Sequence, residues 1–173
     1  MMISLHKIIV VGLLLSHIII AGQGSAGAKF LQINPTTRGS ANAGTLVARP
    51  GLVDALCYNP ATAATLTGSN YVIHHSNYFV GMSFDYMSFT YNVPAIGTFS
   101  VGLLGLLSGD IEETTELQPL GTGRTFTAND FAGFLSFARS ITDKFSGGGT
   151  IKYVMQNIDK LTASGIAFDM GAI

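Results

Sequence analysis

Lys152, Gln156 and Asp169 are the side chains best placed for chemistry in this chain, because each interrupts a run of large apolar residues at alternate positions. Over residues 149–157, Ile151, Tyr153 and Met155 fall on one side while Thr150, Lys152 and Gln156 fall on the other, since successive strand side chains point to opposite faces. Further along, Ile166, Phe168 and Met170 oppose Ala167, Asp169 and Gly171. The three polar residues are therefore candidates for a wet, inward-looking surface. If the two strands are neighbours, Lys152 and Asp169 can pair, the usual fate of charges in a narrow interior.

Other chemistry is poorly supported. His74 and His75 are adjacent, and on a strand they project to opposite faces and cannot jointly hold one metal ion, so two structural histidines are expected. Gly121-Thr122-Gly123-Arg124 is glycine-rich but sits between polar loop segments rather than after a buried strand, which argues against a phosphate cradle. No nucleophile elbow, zinc-protease helix, phosphate-binding loop or paired-cysteine motif occurs. The sequence thus predicts no catalytic residue, no metal and no cofactor. Cys57 is the one cysteine, so an internal disulfide is impossible.

The elements that must position these residues are short strands. Charged residues make up 11% of the chain and hydrophobic ones 47%, against roughly 25% charged in an ordinary soluble domain. Beyond residue 20 no apolar run approaches the roughly 20 residues a spanning helix needs. A closed barrel is then the remaining way to satisfy the backbone in hydrocarbon. Alternation is clear at 98–108 and 131–139 as well, although Leu104 and Leu106 intrude on the polar side of the first. Two earlier strands are poorly phased at Tyr71-Val72-Ile73 and Tyr86-Met87, the expected mark of a bulge or a change of face. The net charge of -1, without a Lys/Arg cluster, excludes a nucleic-acid footprint.

Connection lengths alternate as in outer-membrane barrels. Residues 92–97 make a short turn with Pro94, residues 109–129 a long acidic loop, and residues 140–146 a short turn. Pro94 and Asp143 are accordingly expected at the periplasmic rim, and Glu112 and Asp159-Lys160 at the outer rim. Residues 1–28 read as a secretory signal peptide, with Lys7, an apolar core from Ile8 to Ile20 and cleavage after Ala21 or Ala28. Residues 29–69, rich in Ala, Gly, Asn and Thr with Pro35, Pro50 and Pro60, predict short helix and loop. Residues 70–173 are then the first part of the barrel.

Phe30-Leu31-Gln32-Ile33, Arg38, Ala43-Gly44, Val47-Ala48 and Asn59-Pro60-Ala61 together resemble the opening of the PorV/PorQ family, relatives of FadL-type outer-membrane barrels. Gly123, Thr125-Phe126, Asp130, Thr142-Asp143-Lys144, Lys152-Tyr153 and Asp169-Met170-Gly171 extend the resemblance in order over the mature chain. Departures are Ala43 for a second Gly, Tyr58 for a Trp, Thr62 for a Gly, and no acidic pair near Gly51-Leu52, where Asp54 is close but out of register. The resemblance implies an all-β antiparallel transmembrane barrel of about fourteen strands, of which this chain would supply five or six. It also implies that residues 30–65 form a plug-like segment in the lumen. On such a plug Arg38 would hold a carboxylate or carbonyls, and Asn59-Pro60 would fix a turn.

The function the resemblance implies is that of a non-enzymatic outer-membrane component of type IX-like protein export, with lipid, secretion components or secreted cargo as partners. A FadL-like channel for hydrophobic small molecules is the alternative, and it requires an apolar pocket beside Phe30, Leu31 and Leu56. An outer-membrane enzyme ranks last, because no nucleophile and base are recognisable.

Overall fold

The computed structural model describes residues 27–173, so the signal-like segment up to residue 26 and the cleavage point at Ala21 lie outside the described residues. The chain is all-β and antiparallel, with only short helical turns. Its strands are β1 (Ser69–Asn77), β2 (Ser83–Val93), β3 (Gly97–Leu107), β4 (Ile111–Glu112), β5 (Thr125–Phe126), β6 (Ala128–Thr142), β7 (Phe145–Ile158) and β8 (Leu161–Ala172). Six of them form one sheet in the order β1-β2-β3-β6-β7-β8, while β4 and β5 make a separate two-stranded hairpin within the long connection. The sheet is open among the described residues, with β1 and β8 at its edges.

Residues 29–65 fold as 3-10 turns at Lys29–Gln32, Thr45–Ala48, Val53–Ala55 and Pro60–Thr65, plus one short α-helix, α1 (Thr37–Ala41). Thr36 caps α1 by accepting a hydrogen bond from the Gly39 N–H at 3.0 Å, and Asn59 caps the Pro60 turn by accepting from the Ala61 N–H at 3.0 Å. This N-terminal segment lies on one face of the sheet. Phe30, Leu56, Ala63 and Leu66 from the segment share a buried core with Phe84, Tyr86, Leu104, Ala132, Phe134 and Val154 from the strands. Each large side chain removed from water in this way is worth about 1.5–3 kcal/mol.

The register puts like with like across the whole sheet. Tyr71, Phe89, Val101, Leu135, Ile151 and Phe168 are successive cross-strand partners on the face away from the segment. One residue along, Asn70, Thr90, Ser100, Ser136, Thr150 and Asp169 form a wholly polar row on the covered face. Leu135 is 60% exposed, Ile151 44% and Phe168 73%, and no layer covers them among the described residues.

Two local expectations are corrected. Pairing of β1 with β2 is continuous through Tyr71-Val72-Ile73 and Tyr86-Met87, so there is neither a bulge nor a change of face. Val72 and Tyr86 are apolar on the inner face because the N-terminal segment covers them there. The irregularity falls instead between Ser140 and Thr142, beside the β6–β7 turn. The end of the sheet that carries Pro94 and Asp143 is opposite the end that carries Glu112 and Asp159-Lys160.

Candidate functional site between the N-terminal segment and the sheet

Three polar fastenings hold the segment to the sheet. At β1, Asp54 lies between Arg38, whose Nε is 3.3 Å from Oδ2, and His74, whose Nε2 is 3.7 Å from Oδ1. The Thr37 hydroxyl lies 3.5 Å from His74 Nδ1, closing a small cluster of two elements of the segment on one strand. At β8, the Asn59 amide donates to the Val47 carbonyl at 2.8 Å and to the Ala172 carbonyl at 3.1 Å. At β7, the Gln156 side-chain carbonyl accepts from the Ala28 N–H at 3.1 Å.

The fastening at β8 depends on missing side chains. A Cβ at Gly171 would overlap Asn59 Oδ1, and one at Gly148 would stand 2.8 Å from the Ala61 nitrogen and the Pro60 carbonyl carbon. The backbone of the Pro60 turn thus rests directly on β7 and β8, a close approach that any larger residue blocks.

Lys152 Nζ and Asp169 Oδ2 meet at 2.6 Å across the β7–β8 pair. Beside them the Ser136 and Thr150 hydroxyls share a hydrogen bond of 2.7 Å. This corner borders a cavity of about 240 Å³ between segment and sheet, lined on its apolar side by Leu31, Ile33, Leu56, Leu104 and Phe134 and on its polar side by Lys152. Cys57 also lines it, and burial pushes its thiol up to about 12, so the thiol stays protonated at neutral pH. The buried hydroxyls of Tyr86, Ser88, Thr90 and Ser100 lack protein partners, which makes the β2–β3 part of the inner face a place for ordered water.

Of the residues singled out from sequence, Lys152 and Asp169 come together, Asn59 and Pro60 form one fastening, and Arg38 belongs to another. Gln156 stands apart from all of these, at the Ala28 end. Sequence reasoning missed Asp54 as the shared partner of Arg38 and His74, and missed the glycines that seat the Pro60 turn. The run Gly147-Gly148-Gly149 was the available signal for the latter. His75 turns to the other face, where its Nδ1 is 2.6 Å from Asp85 Oδ1, so the two histidines share no ligand. Among the described residues no group of three or more His, Cys, Asp and Glu side chains converges on a metal position.

Comparison of the chain with family models, with curated proteins and with solved structures finds no match.

Proposed function

We propose that this chain builds the wall and the lumen-filling segment of a FadL-like outer-membrane barrel, and that it serves protein export as a non-enzymatic component. The observation that carries the membrane part is the six-strand apolar row beginning at Tyr71, placed one residue from the polar row beginning at Asn70. Soluble monomers rarely leave so large an apolar face bare. Its dimension also suits a bilayer. On β6 the outward positions are polar at Asn129 and Arg139 and include Phe131, Leu135 and Phe137 between them. That interval is about 33 Å of strand at ~3.3 Å per residue, or about 25 Å of height at a tilt near 40°, the height of a lipid-facing band. The unpaired edges β1 and β8 need strand partners in hydrocarbon, which closure of a barrel supplies.

A segment fastened to β1, β7 and β8 favours a sealed barrel that acts through its rims over an open conduit. The residue resemblance to the PorV/PorQ family points the same way, toward binding of secretion components or cargo. The cavity beside Leu31 and Leu56 favours the second reading, a channel for hydrophobic small molecules. Co-purification from native membranes separates them. Export predicts recovery of secretion components or a folded secreted protein, whereas the channel predicts a bound lipid-like molecule and no protein partner.

A further inference from the structure

The rim that carries Asp159 is built unlike the opposite one. There β4 and β5 form a hairpin, Ile111 opposite Phe126 and Glu112 opposite Thr125. It is extended by the Glu113 N–H donating to the Arg124 carbonyl at 2.8 Å and the Thr122 N–H donating to the Glu113 carbonyl at 2.8 Å. A further pair, Thr115 with Gln118, closes its tip. This hydrogen-bonded scaffold holds Leu117 93% exposed and Leu120 95% exposed among the described residues. Next to the hairpin's foot, Gly109 packs against the Gly81 carbonyl of the β1–β2 connection. That connection presents Phe79 and an 86% exposed Val80, whose φ of 56° is a left-handed conformation disfavoured for a β-branched residue.

The charge around these apolar tips is mostly negative. On this rim Asp110, Glu112, Glu113, Glu116 and Asp159 are set against Arg124 and Lys160. The Arg124 guanidinium is already engaged, by Glu113 at 2.9 Å and by Asp159 at 2.5 Å. A surplus of carboxylates therefore flanks Leu117 and Leu120. Anionic head groups repel such a rim, which argues against insertion of the leucines into lipid, and self-repulsion argues against a second copy of the same rim.

We propose that this rim is a docking surface for a partner protein presenting an apolar groove bordered by Lys and Arg, with Leu117 and Leu120 as the anchors. Apolar anchors carried on a backbone already hydrogen-bonded as a hairpin lower the backbone ordering cost of binding, and the flanking carboxylates set approach and register. The inference rests on the membrane reading only in placing the hairpin outside the bilayer.

The test uses the full chain in detergent with three labelled peptides: leucine-rich with flanking Lys, leucine-rich with flanking Glu, and Lys-flanked with Ser in place of Leu. The Lys/Leu peptide is expected to bind at least about tenfold more tightly than either control, a difference of about 1.4 kcal/mol. L117S/L120S is expected to remove that margin, and D110N/E116Q to lower affinity several-fold and flatten its salt dependence. Binding unchanged in L117S/L120S, equal binding of the Lys/Ser peptide, or, with the chain in lipid vesicles, a photo-label at position 117 that captures lipid would overturn the proposal. In the same vesicles a photo-label at position 151 tests the membrane reading by itself: lipid adducts uphold it, and their absence removes it without touching the peptide result.

Discussion

Gly171 on β8 leaves open the space that the Asn59 side chain occupies, so the Pro60 turn sits on bare backbone. Gly171→Ala and Gly148→Ala should each push the turn off the sheet at a cost of about 1–3 kcal/mol. Gly165→Ala, with nothing near the added carbon, should change little. Cys57 provides the readout. Its half-buried thiol should react slowly with an alkylating agent at pH 7 in the parent protein and several-fold faster in the two seated-glycine variants; equal rates in all four proteins would refute the seating.

Asn59 contributes both ends of its amide. Asn59→Ala loses the cap to Ala61 and the donors to Val47 and Ala172, and should destabilise by about 1–3 kcal/mol in denaturant titration. Asn59→Asp keeps the cap acceptor but faces two carbonyls with a carboxylate, so at neutral pH it should recover little of the loss.

Lys152 and Asp169 form a pair of unequal burial, with side chains 16% and 39% exposed. Solvent screening of the more open carboxylate limits the coupling to about 1 kcal/mol. Removing Lys152 alone should still be worse than removing both partners, because the single change leaves the half-buried Asp169 carboxylate without its partner. A double-mutant cycle of Lys152→Met and Asp169→Asn checks this, and additive effects would contradict it.

Leu135 and Ser136 are neighbours in sequence on opposite faces. Leu135→Arg should hinder assembly into lipid vesicles by about 2–4 kcal/mol if the outward row meets hydrocarbon. In a water-facing sheet the same change would fall within about 0.5 kcal/mol. Folding yield in vesicles, read by gel shift, distinguishes the two.

Asp159 supplies a pH dependence. Hydrogen bonding from the Arg124 guanidinium, with its charge, holds the carboxyl below its ordinary value. A lowered folded-state value means that the contribution to hairpin order is present above the unfolded value, near 3.9, and is lost as pH falls through the folded one. Amide protection at Glu113 and Thr122, corrected for intrinsic exchange, should therefore hold from pH 7 to about 4 and drop below that. Asp159→Asn should show the loosened hairpin at every pH.

Strand identity and facing were legible wherever the two faces meet different surroundings. Ile151, Tyr153 and Met155 alternate with Thr150 and Lys152, and the structure separates them onto opposite faces. The same rule failed at Val72, Tyr86, Leu104 and Phe134. There the inner face is covered by Phe30, Leu56 and Leu66 instead of water, so both faces are apolar and polarity no longer marks direction. A one-dimensional pattern records each residue's surroundings but not which distant segment provides them.

By itself the sequence determined the two-residue alternation, the unequal connections and the scarcity of charge, because each is a local consequence of how a strand presents its side chains. Tertiary structure alone decided that Asp54 would bridge Arg38 and His74, that Gly148 and Gly171 would receive the Pro60 turn, and that Leu117 and Leu120 would stand clear of the sheet. Those relationships join residues far apart in the chain, and they come into being only when the strands set their register and the N-terminal segment settles on one face.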